Sequence, residues 1–164
     1  HVSISLDDRL ENFYSFGRVN PYNAFIGGFV RENKDFGTFK RFKNSRVAIY
    51  SIDVEDENYE SAKDLINQIK DAKEEYKFNV LGLILVLFNK KIERKNAFYC
   101  AEFVKYVLEN SKSINEKLPN VIKPEDFRNI KKIKLEYKGL FSTYDYTQTT
   151  TFKETFSLRK EALI

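Results

Sequence analysis

The sequence predicts an α+β fold, with helices and an antiparallel sheet segregated along the chain. Three observations carry this. Residues 2–6 (VSISL) and 46–54 (RVAIYSIDV) alternate apolar and polar side chains with the period of a half-buried strand. Residues 58–76 place Tyr59, Ala62, Leu65, Ile66, Ile69, Ala72 and Tyr76 at helical spacing under a polar outer face. Residues 97–111 (AFYCAEFVKYVLENS) gather Cys100, Phe103, Val104, Val107 and Leu108 on one helical face.

Val2 to Leu6 is the first strand, and Asp7 and Asp8 supply turn chemistry after it. Asn12 to Phe16 is an aromatic-rich second strand. Gly17, Asn20-Pro21 and Gly27-Gly28 punctuate a long connection whose Tyr22, Phe25 and Phe29 suit packing over a neighbour better than exposure to water. Arg46 to Val54 is a central strand, and the helix over 58–76 follows. The apolar run Val80 to Phe88 fits a buried helix or a buried strand, and helix is the preferred reading. At nine residues, with Gly82 inside, the run is about half of a bilayer span, so no transmembrane segment is expected.

Asn96 is placed to cap the helix over 97–111. Pro124, with Glu125 and Asp126, opens a short helix. Lys132 to Tyr137 and Leu140 to Tyr144 suggest a hairpin about Gly139. Residues 1–144 are thus one domain, and 145–164 form an extension, Thr-rich and then charged, without a clear period. It suits a strand extension, a docking segment or a flexible end.

Composition narrows the function. A chain of 164 residues that is 42% hydrophobic and 15% aromatic has material for one packed core, which excludes global disorder. Its 28 Lys and Arg face 24 Asp and Glu, so the net charge of +4 is a mild bias, and no nucleic-acid partner is expected. Lys40, Arg41, Lys43 and Arg46, interleaved with Phe39 and Phe42, fit a solvated loop face, or a phosphate or nucleic-acid contact. One Cys, Cys100, rules out an intrachain disulfide. One His, His1, leaves zinc short of ligands, so neither metal nor cofactor is expected. Phosphate-loop, dinucleotide and nucleophile-elbow motifs are absent. The chain opens at His1 and contains no Met, so an upstream leader or anchor stays open. The expected location is cytoplasmic, with cell envelope or secretion as the alternative.

A Cys in the first turn of a helix, packed against a sheet that carries a His, is a chemical arrangement. The helix start offers partial positive charge and unbonded N–H groups, which favour thiolate and can hold an oxyanion. A neighbouring imidazole then serves as base and acid. Cys100 also fits a buried small hydrophobe, and His1 an ordinary strand residue or the remnant of a tag.

The strings HVSISLD (1–7), NFYSFGR (12–18) and FYCAEFVKYVL (98–108) resemble the circularly permuted NlpC-type papain-like cysteine hydrolases, bacterial amidases and peptidases related to the lecithin–retinol acyltransferase group. The order, His before Cys, is the permuted one. PEDF (124–127) and LEYKGL (135–140) also look like closing segments of the bacterial members. The resemblance implies a permuted papain-like fold, with Cys100 as nucleophile at a helix N-terminus and His1 as general base and acid. It implies a third, polar residue on the strand after the His strand, and Ser15 is the matching position. Ser is shorter than the His, Asn, Gln, Asp or Glu usual there, and also fits a solvent-facing strand residue.

Tyr14, Gly28 and Tyr99 are the candidate substrate-binding residues; Tyr14, like Phe16, also fits the core, and the Gly27-Gly28 loop a plain turn. The implied activity is hydrolysis of an amide bond in a peptide or cell-wall peptide, that of a thiol protease or amidase. The alternatives are acyl transfer or ester and thioester hydrolysis on a lipid, with Val80 to Phe88 as an acyl-binding wall, and a catalytically silent binding module.

Overall fold

A computed structural model describes residues 1–145 except 8, 21, 22, 36, 43 and 93, together with residues 159–163. The elements are β1 (Ile4–Ser5), β2 (Phe13–Asn20), β3 (Asn23–Glu32), α1 (Gly37–Arg41), β4 (Arg46–Val54), α2 (Asp56–Asp71), β5 (Lys77–Phe78), α3 (Val80–Val86), β6 (Ala97–Phe98), α4 (Cys100–Asn110), β7 (Lys134–Leu140) and β8 (Arg159–Leu163). Two 3-10 helices, Pro124–Asn129 and Phe141–Thr143, flank β7. The fold is α+β, as expected.

Six strands form one antiparallel sheet in the order β3-β2-β1-β8-β4-β7, and β5 and β6 form a short parallel pair. Alternation along the strands sends side chains to two cores. Val2, Ile4, Phe16, Ile52 and Val54 pack with α2 and α4 in the larger one. Phe16 and Phe103 of α4 are fully buried there, with ring centroids 5.4 Å apart. Phe13 and Ile49, of the opposite parity on their strands, enter a smaller cluster with Leu10, Phe141 and Tyr144.

Several expectations are revised. The aromatic connection after Phe16 is a hairpin, because its glycines are strand positions: Gly17 pairs with Gly28 and Arg18 with Gly27. A Cβ on Gly27 would lie 2.6 Å from the Phe78 ring, so the ring packs directly on the backbone of β3. Tyr22 lies outside the described residues. Asn96 does not cap α4. It sits in the left-handed region with φ 51°, which Asn tolerates, and residues 97–98 leave in extended form to pair with β5. Tyr99 is the N-cap. Gly139 is no turn either. β7 runs through it, paired with Val47, and the missing Cβ leaves room for the Tyr137 phenol. Val80–Val86 is a helix, yet its outer face is exposed.

The extension also changes character. Residues 159–163 are β8, which pairs with β1 through Ile4 and Ser5 on one side and with β4 through residues 50–54 on the other. Residues 146–158 and 164 lie outside the described residues. The sheet therefore draws on both sides of the boundary at 144.

Candidate active site

Cys100 is placed by the junction of β6 and α4. Extended backbone at Tyr99, with φ −99° and ψ 172°, turns into the helix. Its N–H donates to Glu102 Oε2 at 3.1 Å, the backward half of a capping box. The same oxygen accepts from Asn79 Nδ2 at 3.1 Å, and Asn79 Oδ1 accepts the Gly82 N–H at 3.0 Å to cap α3. Asn79 is fully buried, so one side chain ties the starts of α3 and α4 together. Burial pushes the Glu102 carboxyl above its ordinary range, and the Tyr99 and Asn79 donors oppose that shift.

The thiol at this helix start lines a cleft of 680 Å³, shared with His1, Gly17, Glu32, Phe78 and Leu83. Cys100 is largely buried and also packs in the main core. Being the first helical residue, it carries a backbone N–H without an intrahelical acceptor. That donor and the positive end of the helix therefore lie beside the thiol.

His1 reaches the cleft from the strand-like stretch that leads into β1. Its Nε2 lies 3.0 Å from Glu32 Oε2, and Ser3 Oγ donates to the same oxygen at 2.9 Å while sitting 3.3 Å from Nε2. Glu32 is buried at the end of β3, and its carboxylate is thereby satisfied. Nε2 is the nitrogen that meets Glu32 and Ser3, and the ring shares the cleft with Cys100, whose proximity favours the charged imidazole. A Cβ on Gly17 would stand 3.4 Å from His1 Cε1, so the bare backbone makes room for the imidazole.

Burial opposes a charged imidazole. The hydrogen bonds to Cys100 and Glu32, with the attraction of both groups, outweigh it and push the His1 pKa up to about 10. The arrangement is a thiol, an imidazole that holds its proton, and a carboxylate that orients the ring, all at one helix N-terminus. Such a set can add a thiolate to a carbonyl and protonate the leaving group.

The other candidates lie elsewhere. Ser15 is fully buried and donates to Val2 O at 2.7 Å, so its hydroxyl is engaged with backbone while Glu32 holds the imidazole. Tyr14 stacks on Phe29 with centroids 5.9 Å apart and packs at the main core. Gly28 is a paired position of β3. Tyr99 points its phenol into the interior, donating to Ile122 O at 2.9 Å. Tyr14, Gly28 and Tyr99 do not line the cleft. Of the basic and aromatic cluster, Phe39 packs on Phe13 and Phe141, Arg41 lies 5.4 Å from the Phe42 ring centre, and Lys43 lies outside the described residues.

Two features of the cleft have weak signals in the sequence. Glu32 follows an apolar pair, Phe29 and Val30, and only the β2–β3 hairpin brings it to His1. Arg18, Arg46 and Arg128 line the cleft from three separate elements, whereas Glu32 is the one acid lining it among the described residues. Among the described residues, no group of three His, Cys, Asp or Glu side chains is placed to hold a metal ion. No family model, curated protein or solved structure matches the chain.

Proposed function

We propose that the protein is a cysteine hydrolase of the permuted papain-like type, acting on an amide bond. The observation that carries this is the cleft that brings Cys100, at the N-terminus of α4, together with His1 and the Glu32 bonded to it. Cys100 Sγ, its proton held by His1, bonds to the substrate carbonyl carbon. The oxyanion that forms is met by the Cys100 N–H. The C–N bond breaks as His1 passes the proton to the leaving nitrogen, which yields a thioester on Cys100 and a free amine. Water, deprotonated by His1, then attacks the thioester and releases the acid and the thiol. Glu32 and Ser3 keep the ring in one orientation through both steps. A peptide or cell-wall peptide with an anionic group suits Arg18, Arg46 and Arg128 in the cleft lining. Phe78 and Leu83 on its apolar side support the second reading, ester or thioester hydrolysis or acyl transfer on a lipid.

Carboxamidomethylation tests the pair, since the chain has one thiol. The parent protein should react readily at mildly acidic pH, and His1→Ala should slow it by at least about tenfold. Equal rates in the two proteins would reject the catalytic reading and favour a silent binding module. If the pair is present, release of chromophore from activated amides and esters, abolished in Cys100→Ser, separates the two substrate classes.

A further inference from the structure

The least expected surface is α3 and the turn that follows it. Leu81, Leu83, Ile84, Leu87 and Phe88 are exposed, from 40% at Leu83 to 81% at Leu87 and 68% at Phe88. Leu87 and Phe88, bared to that extent, project from the surface, and neither lines the cleft. The helix end is rigid. Asn89 stands in the left-handed region with φ 53°, its N–H donates to Val86 O at 3.0 Å, and the Lys90 N–H closes back on Leu85 O at 3.0 Å. This is a Schellman cap, and it holds Lys90 against the apolar tip. Residues 89–96 (NKKIERKN) then carry Lys90, Lys91, Arg94 and Lys95 against a single acid, Glu93. Those four cations are exposed.

We propose that this tip, Leu87 and Phe88 with the cations of residues 90–95, seats the protein on an anionic phospholipid surface. Projecting apolar side chains enter the acyl boundary, and adjacent Lys and Arg meet the lipid phosphates. A run of nine apolar residues lies on a bilayer and does not cross it. A protein partner would need a matching apolar recess beside an acidic strip, whereas an anionic bilayer offers both features everywhere on its surface. Leu83 of the same helix lines the cleft that Cys100 also lines, so the docking helix borders the cleft. The proposal goes beyond the hydrolase reading and stands without it.

Flotation of the full chain with vesicles tests it. Vesicles of equimolar phosphatidylcholine and phosphatidylglycerol should retain the protein at low salt, and phosphatidylcholine alone should not. The Leu87→Asp/Phe88→Asp and Lys90→Glu/Lys95→Glu variants should each lower partitioning by at least about tenfold. Unchanged near-ultraviolet circular dichroism shows that the variants are folded, as exposed positions allow. Failure of the anionic vesicles to retain the parent overturns the proposal. So does retention that Leu87→Asp/Phe88→Asp leaves intact, which marks charge attraction without insertion. A dimer in sedimentation velocity that the same variant dissociates also overturns it, by assigning the tip to a second copy of the chain. Because the readout is vesicle binding, an inactive thiol does not affect it.

Discussion

The imidazole of His1 lies between a thiol and a carboxylate, and each neighbour favours its charged form. Removing the charge of one neighbour while keeping its shape isolates that contribution. In Glu32→Gln the His1 titration midpoint should drop by about 1–3 pH units, read from the ring carbon shifts of the one histidine in an NMR titration. Turnover should fall at least about tenfold with the substrate KM little changed, because the ring loses its orienting anion. An unmoved midpoint would mean that Cys100 alone sustains the imidazolium. Cys100 and His1 were legible in the sequence because each is the sole residue of its type. Glu32 was not, because the chain holds 24 acids and only the hairpin register selects this one.

At the scale of elements, the start of α4 depends on side chains from other segments. Asn79 bonds both α3 and Glu102, and Glu102 holds the Tyr99 N–H. Asn79→Ala removes a cap and leaves the half-buried Glu102 carboxylate short of a donor, so urea denaturation should show a loss of about 1–2 kcal/mol. The thiol should also become less reactive as the helix start loosens. α2 and α4 were legible from their spacing and β4 from its alternation, whereas α3 is too short and too apolar to show a period and α1 gave no signal. The strand ends were not: β5 and β6 are two residues each and carry no period, and the β2–β3 glycines resemble turn signals until pairing shows them facing each other. β8 was one of three open readings of the tail for a related reason, since its composition is that of a charged tail and only its neighbours make it a strand. Removing residues 159–163 should divide the sheet, because β1 and β4 meet only through β8. The expected result is loss of cooperative unfolding together with loss of the alkylation advantage, since β1 leads straight from His1.

For the whole molecule, the His1 contacts make stability depend on pH. The folded-state pKa of about 10 lies above the ordinary 6.5, so the protonated ring stabilises the folded state. That contribution is complete below about 6.5, as far down as carboxylates stay ionised, and is lost as the pH rises through about 10. With 42% of the side chain exposed, solvent screens the effect and keeps it small. Urea midpoints of the parent and His1→Gln should therefore differ on the acid side of this window and converge above it. A difference that grows with pH would refute the assignment.

The seam between β1 and β8 also bears on when the proposed Cys100–His1 pair is complete. Ile4 meets Tyr14 of β2 on one side, ten residues on, but its other side is closed only by Leu163 of β8, so during synthesis that edge of β1 waits for a distant strand. Until then the sheet behind the imidazole is unfinished. On the proposed reading, a nascent chain thus carries an ordinary cysteine until β8 closes the sheet beside His1.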